Sequence, residues 1–130
     1  MKTKRINSRT KGKNGELEAV RLLRPFFPNC KRSFGQARSG KECPDIINTG
    51  QYWIEVKRRK AFTPQTLWSA WTKALDDWGK SSRYLVMMYR ADREKWRVWV
   101  CEQDIGWTMD GPFKDFVWQT ESEKVKDGDL

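Results

Sequence analysis

The chain has 130 residues, enough for one domain built around one modest core. It carries 26 Lys+Arg against 17 Asp+Glu, a formal net charge of +9, and has no histidine. Without an imidazole, Ser-His-Asp and Cys-His catalysis and every histidine-based nuclease mechanism are excluded, leaving carboxylates, lysine, hydroxyls or a bound metal.

No apolar run approaches the length needed to span a bilayer. The polar, charged N-terminus does not read as a secretory signal. Cys30, Cys43 and Cys101 are widely spaced and form no CxxC pair, so reduced thiols in a cytoplasmic protein are expected, without a zinc site. Charge is unevenly placed: residues 1–60 hold 16 Lys+Arg against 5 Asp+Glu, residues 61–130 hold 10 against 12. A basic half points to a polyanionic partner, most often nucleic acid. A membrane surface is not expected as partner, because the basic segment has almost no apolar face to insert.

In chain order, "MKTKRINSRTKGK" (1–13) holds six basic residues and no acidic one, and is predicted to be a mobile arm that tracks phosphates. Asn14 is predicted to cap a helix through "GELEAVRLLR", ended by Pro25. The turn-rich stretch 24–42 is given one irregular strand. A hairpin over 44–58 follows. "TPQTLWSAWTKALDDWGK" is predicted as a helix that starts at a Thr-Pro cap and stops at Gly79. Trp68, Trp71, Leu75 and Trp78 fall on one stripe of it and are predicted to be core. "RYLVMMY" and "WRVWVC" read as two further strands joined by the polar turn "RADREK". The predicted organisation is a basic arm (1–13), an α/β domain with a mixed sheet of about four strands (14–106), and a C-terminal segment with a polar tail (107–130).

Two features of this pattern carry chemistry. At about 100° per residue, the apolar stripe formed by Ala19, Val20 and Leu23 is centred close to Glu16, while Glu18 and Arg21 lie on the opposite face. A carboxylate in an apolar stripe is costly unless a cation or hydrogen bonds meet it. The hairpin "CPDIINTGQYWIEVKRRK" (43–60) is the second feature. Glu55 and Lys57 are two apart and share a face. Asp45 joins them only in one register. A two-residue loop at Thr49-Gly50 would put Asp45 on the face of Ile54. A three-residue loop, Thr49 to Gln51, matches Ile46 with Ile54 and sets Asp45 opposite Glu55. The second register pairs apolar with apolar and is preferred. Its consequence is two like charges facing each other, unfavourable unless a cation lies between them.

Carboxylate ligands suit a hard divalent ion, Mg²⁺ with Mn²⁺ as a substitute, completed by waters and phosphate oxygens. Lys57 beside it would orient or help deprotonate an attacking water and offset charge on a phosphodiester. The plain alternative is a solvated hairpin whose charges do nothing in particular.

"ELE" in the first helix, "PDI" and "IEVKRRK" resemble the PD-(D/E)XK nuclease superfamily. With "KRSFGQARSG" ahead of the "PDI", the pattern over residues 11–101 is similar to the archaeal and phage-type Holliday junction resolvases and to related small phage and bacterial endonucleases. The resemblance implies a restriction-endonuclease-like fold and a Mg²⁺-dependent DNA endonuclease, selective for branched DNA. It also implies a cytoplasmic homodimer of bacterial, archaeal or phage origin. Glu16, Asp45 and Glu55 would be metal ligands and Lys57 the catalytic lysine, with Ser33 beside the scissile phosphate. Lys11, Lys13, Arg32 and Arg38 are candidate DNA contacts on the N-terminal side of the motifs. Arg58, Arg59, Lys60 and Lys73 are candidates after the lysine strand, with Lys73 at a position that is glutamine in many relatives. Rival readings are a nuclease for ends, nicks or duplex sites, and a non-catalytic nucleic-acid-binding protein.

Overall fold

The computed structural model describes residues 8–33, 43–79, 81–102 and 107–120. Arg38, residues 1–7 of the basic arm and the tail beyond Thr120 lie outside them. The chain forms an α/β domain: a mixed sheet of β1 (Lys31–Arg32), β2 (Ile46–Ile47), β3 (Tyr52–Arg59), β4 (Tyr84–Ala91), β5 (Arg97–Glu102) and β6 (Trp107–Pro112), ordered 1-2-3-4-5-6. Helix α1 (Ser8–Leu23) packs on β3, and α2 (Pro64–Trp78) crosses between β3 and β4. That pair is parallel, from Tyr52↔Tyr84 to Arg59↔Ala91, as a helical crossover requires. The other pairs are antiparallel.

The strands β3 and β4 are buried on both faces, and each face has its own cluster. Ile54, Val56, Val86, Met88, Val98 and Val100 pack with Ala19, Val20 and Leu23 of α1. Trp53, Leu85, Met87 and Tyr89 pack with Ala70, Trp71, Ala74 and Trp78 of α2. The strand period of two makes this division: alternate residues of one strand supply opposite cores.

The α/β class with a mixed sheet is as expected; among the described residues the sheet has six strands, the expected four or so extended by β6, which adds to β5 from Trp107 to Pro112, and by β1, which adds a two-residue pairing to β2. Other expectations are corrected. Residues 107–120, set apart in the sequence reading, therefore belong to the domain, and Trp118 is buried against Phe27, Tyr52 and Phe116. Asn14 does not start α1. The helix already runs from Ser8 through half of the predicted arm, tied down by the Lys11 ammonium on Asp92. Trp68 is 58% exposed rather than core, and Ala70 and Ala74 take the buried positions instead. By contrast, α2 begins at a Thr63 capping box with Pro64 following, and ends at Gly79 in the left-handed conformation, both as predicted.

Candidate active site

The hairpin adopts the three-residue register: Ile46 stands opposite Ile54, with Asn48 and Gly50 at positive φ in the connection. Asp45, the residue before Ile46, lies close enough to Glu55 for its charge to act there. Strand β2 stops at Ile46, which leaves the N–H of Val56 without a carbonyl on that side. The carboxylate of Asp45 replaces it: Asp45 Oδ2 accepts the Val56 N–H at 2.8 Å, and the Asp45 N–H donates to the Ile54 carbonyl at 2.9 Å. The Ser33 N–H donates to the Asp45 carbonyl at 2.9 Å, so the end of β1 fixes the backbone of the aspartate. Ser33 Oγ lies 3.3 Å from Cys43 Sγ.

Glu55 is 3% exposed, the most deeply buried charged side chain among the described residues. Its Oε2 accepts the indole N–H of Trp53 at 3.0 Å, from the same face of the strand. Among the described residues neither Glu55 nor Asp45 makes an ion pair. Burial pushes the Glu55 carboxyl up to about 8, and the charge of Asp45 adds to the rise; the Trp53 N–H and the Lys57 ammonium act the other way. Burial likewise raises Asp45, to about 6, opposed by the Val56 N–H and raised further by Glu16. A buried and a half-buried carboxylate with one lysine nearby are short of positive charge.

The other predicted residues are placed as follows. Lys57 shares the face of Glu55, is half-buried, and its charge is felt at both carboxylates. Glu16 is brought to the border of the site, where its charge reaches Asp45, but its Oε1 is held by Arg32 Nε at 2.8 Å. Arg32 thus meets the cost that the apolar stripe of α1 imposes on Glu16. Among the described residues no group of three or more His, Cys, Asp or Glu side chains stands close enough to hold a metal ion. Asp45 and Glu55 are a pair, and two carboxylates with waters and substrate phosphates are a usual Mg²⁺ environment. The donor chemistry of the pair, hard oxygens with Lys57 as the nearby cation, fits such an ion.

Of the candidate DNA contacts, Lys11 and Arg58 both bind Asp92 in the β4–β5 turn, and Lys73 lies 3.7 Å from Asp77 on α2. Lys13, Arg59 and Lys60 are exposed. Gly15 sets how closely α1 approaches: a Cβ there would lie 2.6 Å from Arg58 Cβ, so only glycine lets the helix cross β3 at this level. Sequence reasoning missed Asp77. It follows Ala74 by three and precedes Trp78 on α2, so its charge reaches Asp45 and Glu55 across the same sheet face. On the stripe of Trp68, Trp71, Leu75 and Trp78 read from the sequence, Asp77 falls on the opposite arc, so no local signal marks it.

No protein-family model matches the chain, and no curated protein matches it significantly. Among solved structures it is similar to Archaeoglobus fulgidus Hjc, a Holliday junction resolvase from an archaeal hyperthermophile. That likeness has 20% identity and a TM-score of 0.45, over 88% of this chain and 98% of the other.

Proposed function

We propose that the chain is a divalent-metal-dependent DNA endonuclease that acts on branched DNA in the manner of a Holliday junction resolvase. The observation that carries the reading is Glu55, buried against Trp53 beside Asp45, with Lys57 on the same face and, among the described residues, no ion pair at either carboxylate. Mutual repulsion and burial make this arrangement costly for a strand that merely needs to fold, and useful where a cation and a phosphate must be held. Asp45 and Glu55 would hold Mg²⁺, or Mn²⁺ in its place. When bound, such an ion stabilises charge on a phosphodiester and acidifies a water.

The chain's own residues do the rest. The Trp53 indole and the Val56 N–H fix the two carboxylates, so neither has to reorganise when substrate arrives. Lys57 orients the attacking water and offsets the charge that develops on the phosphate. Glu16 and Arg32 hold each other at the border, and exposed Lys13, Arg59 and Lys60 contact neighbouring phosphates. A four-way junction presents two symmetric phosphates, which calls for two copies of the site in a two-fold dimer.

The test is cleavage of four-way junction, fork, nicked, linear and single-stranded DNA, each with Mg²⁺ and with chelator. The expected outcome is metal-dependent cutting, preferentially of the junction. Glu55→Gln and Asp45→Asn should each abolish it while leaving DNA binding intact or tighter, because negative charge near phosphate is removed. Undiminished cleavage by both variants would sink the assignment.

A further inference from the structure

Between α1, the β4–β5 turn and the end of β6 lies a groove of about 510 Å³, within the range of about 300–1,000 Å³ usual for ligand sites. Its floor is apolar and aromatic, made by Leu22 of α1, Trp96 at the entry to β5, Pro112 at the end of β6, and Phe113 after it. The Trp96 ring is fixed, because its indole N–H donates to Glu18 Oε1 at 3.1 Å. Four cations stand around the floor, each from a different part of the chain: Arg21 of α1, Arg90 of β4, Lys95 of the β4–β5 turn, and Lys114. Two acids face them, Glu94 and Glu18, and Glu18 is already engaged by Trp96 and by Arg90 at 3.8 Å. Among the described residues Arg21, Lys95 and Lys114 make no ion pair. Arg90 Nη1 is buried and has no hydrogen-bond partner among the described residues.

We infer that this groove docks an unpaired stretch of nucleic acid, a base against Trp96 and Phe113 and its flanking phosphates on Lys95, Lys114 and Arg21. A flat ring in a cleft rimmed by cations has the two components of single-strand recognition, a stacking face and a track for the backbone. The occupant is therefore both aromatic and anionic. An acidic peptide would answer the rim but leave the aromatic floor without a matching flat face. The chain's net charge of +9 also favours a polyanion. The groove uses none of the residues assigned to cleavage, so it would hold a strand displaced near a branch point while the carboxylate pair works on a duplex arm.

The experiment is fluorescence-anisotropy titration of the full chain with a labelled single-stranded oligonucleotide in chelator, across a salt series, with a poly-glutamate competitor as a control. Lys95→Gln/Lys114→Gln should make the slope of log affinity against log salt shallower by about 1.4, about 0.7 for each single-strand phosphate contact. Trp96→Leu should weaken binding about tenfold or more through lost stacking. Because Trp96 also packs on the core, an oligonucleotide carrying 5-iodouracil should in parallel photo-crosslink to Trp96 or Phe113 in the unmodified protein. An unchanged salt slope in the lysine double variant, crosslinks confined to other aromatic residues, or displacement by poly-glutamate as effective as by unlabelled oligonucleotide would each overturn the inference. Since chelator is present throughout, failure here is separate from failure of the cleavage assignment, which Glu55→Gln reads.

Discussion

Glu55 concentrates the cost of the site in one side chain. Its carboxyl is shifted upward from its ordinary range to about 8, so the folded state holds its proton more tightly than the unfolded chain does. The stability linked to that proton is full below the unfolded value near 4.5 and is lost as pH rises through about 8. In chelator, urea unfolding of the unmodified chain should therefore show stability falling across that window. Glu55→Gln, which keeps the Trp53 contact without the charge, should fall less and be the more stable protein at pH 8.5, by on the order of a few kcal/mol. Adding Mg²⁺ at that pH should restore the unmodified chain and leave the variant unmoved; identical pH profiles would contradict the account of the site. The shared face of Glu55 and Lys57, and the cost of Glu16 in its stripe, are legible in the sequence because both follow from fixed backbone periods. That Arg32 is the group that meets Glu16, and that the charge of Asp77 reaches the pair from the second helix, is not, since each joins residues distant in the chain.

At the scale of elements, α1 and β3 are joined by a contact that only glycine permits. Gly15→Ala improves the intrinsic helix propensity of its position, yet its Cβ would meet Arg58 Cβ at 2.6 Å. Backbone rather than a flexible side-chain end must shift, so the substitution should destabilise by about 1–3 kcal/mol in chemical unfolding. It should also move Glu16 and Arg58 relative to the site and lower cleavage; a stabilised, fully active variant would show that α1 does not seat as described. The early start of α1 has the same origin. "SRTKGK" contains a glycine and no apolar residue, so propensity gives no reason for a helix there. The Lys11–Asp92 ion pair supplies a tertiary one. In α2 the situation is reversed: the Thr63 box and Gly79 are local signals, and both ends were readable. The misplaced residue was Trp68, because a stripe of tryptophans describes an arc and not the side of that arc the sheet will cover.

Across the whole molecule, the C-terminal segment closes the core that α1 begins. Trp118 packs on Tyr52 at 4.9 Å and on Phe116 at 4.5 Å, and the Gln119 N–H donates to the Tyr52 hydroxyl at 2.8 Å. Trp118→Ala should cost about 3–5 kcal/mol, read as a lower urea midpoint with an unchanged slope. A loss below about 1 kcal/mol would mean that the segment rests on the domain without completing it. Nothing in residues 107–120 announces this role, since "WTMDGP" alternates poorly and carries both Gly and Pro. It forms β6 because β5 offers an open edge whose main-chain groups need partners, whatever side chains the incoming strand bears.

By itself, the sequence determined what depends on spacing along the chain. The α/β class, the capped second helix, the register that brings Asp45 near Glu55, and the absence of any imidazole all come from local periods and composition. The tertiary structure decided what depends on distance through space: the strands β1 and β6 that extend the expected sheet, the seat of α1 on Gly15, the Arg32–Glu16 pair, and the depth at which Glu55 is buried. Periodicity fixes which face of an element a residue occupies. The energy of a charge on that face is set by what packs against it, and that partner comes from elsewhere in the chain.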